Sequence, residues 1–406
     1  MPFDLARADP RMRRALERRA AEARALVKEA LRRDPQAGET VRKLLQPPVA
    51  SGGGGGQAAP PSREEMVQGM AARKRALQAA MEQAGVWDEW QRLQSAPYDE
   101  AMASLGQGLE VTEHTTLGVD GNSIPLCTIR PAGAGPVPCV YYIHGGGMVS
   151  LSSRDGKFQM FGRLVARQGV AVCLVEFRNA AEATKAVPEV APYPAGLNDC
   201  YDGLVWLNSN KAALGLSDEI CVAGESGGAN LSLAVALRAK RQGQLHLLSA
   251  GVFALCPYIA GHWPLGVQHE GILGASHVEN GPMPGSAGLT VATMYGIEAF
   301  RAKDPLAWVG FATEEDLRGL PRMVISVNEG DVYRDEGVNL YRRCLRAGVA
   351  AQCRMVMGTL HANDMEWDVI PDVALSTARA MADFAANGRM LQRLSMPPSL
   401  PPPSKL

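Results

Sequence analysis

A serine flanked by glycines is the first residue in this sequence whose setting suggests chemistry. The string Gly-Glu-Ser-Gly-Gly at residues 224–228, the serine turn, follows a short apolar run at 219–223 and precedes a helical pattern at 229–238. A serine at a sharp turn between a strand and a helix is exposed and strained, and small neighbours permit that turn, while the helix N-terminus stabilises negative charge. The pattern predicts that Ser226 is a nucleophile. A glycine-rich turn without chemistry is the alternative, because such a string alone is a weak signal.

A second glycine-rich string stands earlier in the chain, directly after another apolar run. His-Gly-Gly-Gly occupies residues 144–147, the glycine loop, after the run 137–143. Consecutive glycines let backbone N–H groups turn toward one point and let a substrate carbonyl approach closely. The N–H groups of Gly146 and Gly147, together with that of Gly227, are therefore predicted to form an oxyanion hole. We interpret His144 as a structural hydrogen-bonding residue and not as a catalytic base.

A nucleophilic serine needs a general base, and one histidine stands where such a base is expected. His361 follows shortly after the last apolar run, at 353–357. In a parallel sheet, chemistry gathers at the carboxyl ends of the strands. The other six of the seven histidines fall in an early strand, before a strand, in the glycine loop or in a long insertion. We therefore predict that His361 is the base.

Four carboxylates compete for the place of the acid that orients this base. Glu329, Asp331, Asp335 and Glu336 all follow the apolar run 323–327. Asp331 is closest to the expected tip of the strand. Asp335 and Glu336 instead suit the first turn of the following helix, where carboxylates interact favourably with the helix dipole. The sequence therefore predicts that Asp331 completes the triad.

Short apolar runs that alternate with helical stretches, beginning near residue 109, must position these residues. Eight runs are predicted to be strands: 111–119, 124–130, 137–143, 170–177, 219–223, 250–255, 323–327 and 353–357. Most of them are continuously apolar, which indicates a mostly parallel sheet covered by helices on both faces. The predicted fold class is therefore α/β.

The region before the first strand differs in composition from the rest. Residues 11–34 are rich in Arg, Glu and Ala and predict one charged surface helix; a mitochondrial transit helix is the alternative, which the glutamates disfavour. Five consecutive glycines at 52–56 indicate a flexible linker. After it, Ser62 and Glu65 have the spacing of a capping box, and a methionine-bearing helical stripe follows. That helix is predicted to lie on an apolar surface.

Composition argues against several classes of function. The 406 residues carry a formal net charge of −1, so no strong field points to nucleic acid or to an anionic membrane surface. The eight cysteines show no Cys-x-x-Cys spacing, which disfavours a zinc site and favours buried reduced thiols. No apolar run reaches the ~20 residues of a membrane span, and the N-terminus lacks the layout of a signal peptide. We expect a cytoplasmic protein that acts on a small neutral molecule.

Together these motifs resemble the hormone-sensitive-lipase-like branch of the α/β-hydrolases, over about residues 105–385. The resemblance assigns the triad to Ser226, Asp331 and His361, and the oxyanion donors to Gly146, Gly147 and Gly227. Further matches are Tyr-Pro-Ala at 193–195 with Asp199, Asp-Pro at 304–305, and Arg-Asp-Glu-Gly at 334–337. Two strings depart from the family pattern. The serine turn reads Gly-Glu-Ser-Gly-Gly where many members have Gly-Asp-Ser-Ala-Gly, and Phe-Arg-Asn-Ala at 177–180 replaces a common Tyr-Arg-Leu-Ala-Pro-Glu tract.

The resemblance implies a serine carboxylesterase that hydrolyses short- to medium-chain esters through an acyl-enzyme, with no metal and no cofactor. The alternatives are an amidase or lactonase with the same triad, and a non-catalytic small-ligand receptor on the same fold, which the presence of His361 disfavours. The expected partner is a small-molecule ester. Nucleic acid and integral membrane association are not expected, and the oligomeric state is left open, with a homodimer among the alternatives.

The family also builds a helical cap from its N-terminal segment and from an insertion after the sixth strand. We therefore predict a charged helix and linker at 1–63, cap segments at 64–104 and 258–303, core segments at 105–257 and 304–390, and a proline-rich tail at 391–406. Because the first segment belongs to neither cap nor core, residues 1–56 are expected to be dispensable for hydrolysis of a small ester.

Overall fold

One sheet of eight strands forms the centre of the fold. The computed structural model describes residues 8–46, 61–262, 276, 280 and 290–387. The strand order is β1-β2-β4-β3-β5-β6-β7-β8, with β2 antiparallel to both of its neighbours and all other pairs parallel. The strands are β1 (Leu109–Leu117), β2 (Ser123–Pro131), β3 (Val137–Ile143), β4 (Ala171–Val175), β5 (Leu216–Glu225), β6 (Gly251–Leu255), β7 (Met323–Asn328) and β8 (Ala351–Val356). All eight predicted strands and the α/β fold class are confirmed.

Both faces of the sheet are buried. Along β3, Tyr141 and Ile143 enter one apolar cluster, whereas Val140 and Tyr142 enter another. Because successive side chains of a strand point to opposite faces, this alternation means that helices cover both sides. The helices are α1 (Pro10–Arg33), α2 (Pro35–Leu45), α3 (Arg63–Gln83), α4 (Trp87–Leu105), α5 (Gly156–Ala166), α6 (Ala195–Asn210), α7 (Gly227–Arg241), α8 (Thr290–Arg301), α9 (Glu314–Leu317), α10 (Arg334–Arg346) and α11 (Pro371–Ala386).

The charged helix predicted at 11–34 is confirmed as α1, and a second helix that the sequence did not predict, α2, follows it directly. Asp9 caps α1 and Asp34 caps α2, each by accepting a backbone N–H of the first turn, and a proline follows each aspartate. Proline suits this position because the N–H that it lacks would have no partner inside the helix. Pro35 therefore begins a second helix instead of ending the region. One side of α1 is nevertheless buried, at Met12, Ala15, Leu26 and Ala30.

The helix α3 begins with the predicted capping box. The N–H of Glu65 donates to Ser62 Oγ (3.2 Å), and the N–H of Ser62 donates to Glu65 Oε2 (2.7 Å). Along the methionine stripe, Met81 is buried in a cluster with α1 and α2, whereas Met66 packs against the core. Met70, between them, is 37% exposed. The stripe therefore contacts two separate apolar surfaces.

Several predicted segments fall outside the described residues. The linker 52–56, most of the insertion 258–303 and the tail 391–406 are among them, so the six segment boundaries stay predictions. Among the described helices, none is long and apolar enough to cross a membrane. Seven of the eight cysteines are buried, as predicted.

Candidate active site

Ser226 lies between β5 and α7, at the turn that the sequence predicted. Its backbone has φ 58° and ψ −122°, which non-glycine residues rarely adopt. Such strain costs on the order of 1–3 kcal/mol and persists only where the surroundings hold it. Here the N–H of Ser226 donates to the carbonyl of Leu255 (2.9 Å), and the serine carbonyl accepts from the N–H groups of Asn230 (3.1 Å) and Tyr258 (3.2 Å). These bonds hold the serine at the carboxyl end of the sheet, at the N-terminus of α7.

Asp331 and His361 are joined by a hydrogen bond. The distance between Asp331 Oδ2 and His361 Nδ1 is 2.8 Å. Asp331 is fully buried after β7, and the side chain of His361, after β8, is 16% exposed. The second carboxylate oxygen accepts the N–H of Tyr333 (2.9 Å). With Nδ1 donating to the carboxylate, Nε2 keeps a lone pair that can accept a proton.

The three competing carboxylates have other partners. Glu329 accepts a backbone N–H from the loop after β8 (2.9 Å). Asp335 and Glu336 lie in the first turn of α10, as predicted, and both accept backbone N–H groups. In the described part of the chain, Asp331 is thus the carboxylate bonded to His361.

The surroundings of His361 favour its protonated form. Burial by itself lowers the pKa of His361, but the Asp331 carboxylate with its hydrogen bond, together with the neighbouring Cys256, outweighs burial, so that the pKa lies well above the ordinary value of 6.5. A raised pKa strengthens the neutral imidazole as a base. It also means that an imidazolium formed during proton transfer is stabilised by the same carboxylate.

Cys256, a residue that the sequence analysis passed over, lies beside His361. It directly follows Leu255, whose carbonyl binds Ser226, and its thiol is within hydrogen-bonding reach of His361. Its sulfur, an oxygen of Asp331 and a ring nitrogen of His361 all lie within 4.8 Å of one another. Burial raises the pKa of the Cys256 thiol, so it stays protonated and is a poor nucleophile. Its position at a strand end was the only signal.

The same three side chains offer ligand atoms that a borderline-soft cation such as Zn²⁺ accepts. A cation on Nδ1 would replace the hydrogen bond to Asp331, and a cation on Nε2 would take the lone pair that accepts a proton. In either case His361 would lose its capacity as a base. The arrangement therefore fits proton transfer better than metal binding.

The glycine loop packs directly against the serine turn. A Cβ on Gly227 would lie 2.7 Å from both the Cα of Gly147 and the N of Met148. Gly146 and Gly147 have φ values of 98° and 64°, which glycine adopts without strain. Outside the helices and strands of the described residues, no backbone hydrogen bond uses the N–H of Gly146, Gly147 or Gly227. Gly147 thus lies against Gly227, the residue that follows Ser226, and Gly146 adjoins Gly147 in the chain.

Glu225 joins the serine turn to the glycine loop, a link that the sequence analysis also missed. Its side chain is 3% exposed, and it accepts the N–H of Gly145 (2.8 Å) and the hydroxyl of Tyr142 (2.9 Å). Burial raises the pKa of Glu225 to about 7, against the opposing effects of Lys157 and the two hydrogen bonds. The sequence signal for this link was the position of Glu225 at the end of an apolar strand, because a buried carboxylate needs hydrogen-bonding partners.

His144 has the structural position that we predicted. It is fully buried, and its Nδ1 lies 2.9 Å from the carbonyl oxygen of Gly145. Its ring stacks on Phe177, with ring centroids 4.3 Å apart. These contacts support the glycine loop from the side of the core.

Apolar side chains face the glycine loop. A Cβ on Gly147 would lie 3.4 Å from Val291 of α8 and 4.0 Å from the ring of Tyr258. The sulfur of Met148 lies against Gly227 in the same way. An acyl or alcohol group bound beside Ser226 would therefore meet apolar walls.

A separate cavity of about 1360 Å³ lies at the opposite end of the sheet. It is lined by the amino ends of β7 and β8 and by the C-terminal part of α11, and it contains no residue of the triad. Because the chemistry of parallel sheets gathers at the carboxyl ends of the strands, this cavity lies at the end of the sheet where chemistry is not expected.

Known proteins share the sequence and the fold. Residues 140–365, more than half of the chain, match the alpha/beta hydrolase fold family. The structure of esterase Est22 is 44% identical with a TM-score of 0.72, covering 83% of this chain and 95% of that one. Brefeldin A esterase, a bacterial homologue of human hormone-sensitive lipase, is 32% identical with a TM-score of 0.69, covering 87% and 93% of the two chains. Carboxylesterase NlhH of Mycobacterium tuberculosis is 29% identical over 290 residues, 66% of this chain and 81% of that protein.

These matches agree in both fold and chemistry, since the chain shares the fold of these solved structures and the three relatives are esterases. The chain therefore belongs to the alpha/beta hydrolase fold family, in its hormone-sensitive-lipase-like branch, and is a carboxylic-ester hydrolase.

Proposed function

We propose that this chain is a serine carboxylesterase in which Ser226 is the nucleophile, His361 the general base and Asp331 the acid that orients the base. The hydrogen bond of 2.8 Å between Asp331 and His361 carries the proposal. The two bonded residues follow β7 and β8, in the same sheet whose strand β5 leads into Ser226. A histidine oriented in this way can take the serine proton as the serine attacks.

The reaction then proceeds by two acyl transfers. Ser226 Oγ attacks the ester carbonyl carbon while His361 Nε2 takes the hydroxyl proton, and the N–H groups of Gly146, Gly147 and Gly227 stabilise the oxyanion. His361 gives the proton to the leaving alcohol, and the acyl group remains on Ser226. A water molecule deprotonated by His361 attacks this acyl-enzyme, which releases the carboxylic acid and restores the serine.

The substrate class in this proposal is a short- to medium-chain ester. Val291, Tyr258 and Met148 provide apolar contact close to the glycine loop. Esterase Est22 has been solved with p-nitrophenol, which supports p-nitrophenyl esters as probes for this chain. No charged side chain is required to hold such a substrate.

The test is hydrolysis of p-nitrophenyl esters of increasing acyl length by the wild-type and Ser226→Ala proteins. We expect the substitution to lower kcat by ~10⁴ to 10⁶ while circular dichroism and thermal unfolding stay unchanged. Ser209→Ala, an exposed serine of α6, is the matched control and should keep full activity. Near-normal hydrolysis by folded Ser226→Ala would refute the proposal.

The same assay separates the alternatives. A p-nitroanilide or a lactone hydrolysed faster than every ester would identify an amidase or a lactonase with this triad. Binding of esters by the wild-type protein without turnover would identify a receptor.

A further inference from the structure

The loop that carries His361 has little regular structure of its own. Between the end of β8 and the start of α11 it contains one short 3-10 turn, Asn363–Met365. Ala362, next to His361, has a positive φ of 56°. A base must be held within about 0.5 Å of its productive position, so contacts from other parts of the fold must fix this loop.

One anchor fixes the beginning of the loop from two sides. The N–H of Gly358 donates to Glu329 Oε2 (2.9 Å). Glu329 lies two residues before Asp331 in the chain. The carbonyl of Gly358 accepts the N–H of Asp9 (2.9 Å), the N-cap of α1. The N-terminal helix is thus bonded to the same glycine as the segment that carries the acid.

An apolar contact covers the rest of the loop. Met12 and Ala15 of α1 are 1% and 5% exposed, and they pack with Val369 and Ile370. Leu360, the residue immediately before His361, packs against the same cluster. One side of α1 therefore lies on the loop.

Ion pairs add a third set of contacts. Arg19 of α1 pairs with Glu366 (3.4 Å) and Asp368 (3.1 Å), whose side chains are each 10% exposed. Burial raises the pKa of Asp368 against the opposing effect of Arg19, so this carboxylate is largely withdrawn from water. Nearer the helix start, Arg11 pairs with Asp372 of α11 (2.5 Å).

We propose that α1 is a positioning element for His361, and that its face of Met12, Ala15 and Arg19, with Ala8 just before the helix, holds the loop 357–370 in the geometry that the bond to Asp331 requires. The proposal rests on the proposed role of His361 as the base. It replaces the expectation that residues 1–56 are dispensable. Because α1 contacts the loop that carries the base, loosening this contact should lower kcat more than it changes KM.

A matched pair of substitutions on α1 tests the proposal in the full chain. Met12 and Leu26 are 1% and 3% exposed, but Met12 packs on the loop whereas Leu26 packs in the cluster with α2 and α3. A merely structural role predicts similar effects of the two alanine variants. We expect Met12→Ala to lower kcat about tenfold with KM changed less than about twofold, and Leu26→Ala to leave kcat within about twofold.

A second pair of substitutions, both at Arg19, tests the ion pairs without removing apolar packing. Arg19→Gln should lower kcat in the same direction as Met12→Ala, and Arg19→Lys should restore part of it. Arg18→Gln is the control, since Arg18 is 61% exposed and, among the residues that the structure describes, pairs along the helix with Glu22 (3.9 Å). Should Met12→Ala fail to fold, the arginine variants decide.

The dependence of kcat/KM on pH distinguishes positioning of His361 from a purely structural role of α1, because a purely structural role would leave this dependence unchanged. A weakened bond to Asp331 lowers the pKa of His361, so the acid limb of kcat/KM should shift to lower pH in Met12→Ala and Arg19→Gln. The low-field proton resonance of His361 Nδ1–H should broaden in the same variants. None of these substitutions replaces a group that faces His361 in the structure, and these groups are Asp331, Cys256, Tyr333 and Glu336.

The role of α1 is refuted if folded Met12→Ala and Arg19→Gln keep the wild-type kcat and pH profile, or if Leu26→Ala loses as much kcat as Met12→Ala. Ser226→Ala, measured alongside, separates this outcome from failure of the proposed function. An active Ser226→Ala removes the function itself. An inactive Ser226→Ala with unchanged Met12→Ala removes only the role of α1.

Discussion

Replacing Glu225 with glutamine tests how a buried carboxylate in the serine turn affects stability. Burial raises the pKa of Glu225 to about 7 in the folded protein, from an ordinary value of 4.5. The folded protein therefore binds this proton more tightly than the unfolded chain does. Its contribution to stability is fully present below pH 4.5 and is lost as the pH rises through 7. Each pKa unit corresponds to about 1.4 kcal/mol, so wild-type protein should lose about 2–3 kcal/mol from this group between pH 5 and pH 8.

Glutamine keeps the shape of the side chain but cannot ionise. Its amide oxygen can accept the N–H of Gly145, and its amide N–H can donate to the hydroxyl of Tyr142, whose own proton rotates away. We therefore expect Glu225→Gln to lie within about 1 kcal/mol of wild type at pH 5. At pH 8 the variant should be more stable than wild type by about 2 kcal/mol, because it lacks the cost of a buried charge.

Urea unfolding at pH 5 and pH 8, followed by fluorescence and circular dichroism, measures this difference. Glu100→Gln, on the exposed face of α4, is the matched control and should follow wild type at both pH values. Other titrating groups are common to wild type and variant, so their effects cancel in the comparison. If the free energies of unfolding of wild type and Glu225→Gln changed equally between pH 5 and pH 8, the carboxylate would ionise alike in the folded and unfolded states. That result would refute the argument from burial.

Two further outcomes follow from the site. Asp331→Asn should lower kcat by roughly 10⁴, because asparagine does not hold the imidazole in the required tautomer, whereas Asp335→Asn should lower kcat far less. Steady-state kinetics of both variants measure the two losses. A larger loss of kcat in Asp335→Asn would identify Asp335 as the acid. The kcat/KM of wild type should fall as the pH drops through the pKa of His361, since only the neutral imidazole is a base, and the bond to Asp331 places that midpoint above 6.5. A kcat/KM independent of pH on both sides of that midpoint, with chemistry limiting the rate, would contradict the assignment of His361.

The strands and the proposed triad could be predicted from sequence because their signals are local. Ser226 stands in a turn that few other residue types permit, and His361 follows the last apolar run of the sheet. A parallel sheet brings the ends of such runs together whatever their separation along the chain. The choice of Asp331 over Asp335 and Glu336 also depended on local position, since the latter two begin a helix.

The role of α1 could not be predicted, because its partners are distant in sequence. Arg19 and Glu366 are 347 positions apart, and nothing in the composition of either segment indicates the other. The apolar face of α1 is narrow, with Met12 and Ala15 set among many charges. Cys256 and Glu225 were missed for a related reason: a single thiol or carboxylate acquires its meaning from the neighbours that folding supplies.

The close packing of Gly227 against the glycine loop limits how this enzyme can be engineered. Many members of the family carry alanine at this position, and exchanging glycine for alanine in a helix ordinarily adds about 0.5–1 kcal/mol of stability. Design that adopts the most common family residue would therefore select Gly227→Ala. Here the new Cβ would collide with Gly147 and Met148, and Met148 already has a positive φ of 62°, so the loop cannot easily withdraw. The two motifs therefore behave as one module. A serine turn grafted from a relative would have to bring the glycine loop of the same relative with it.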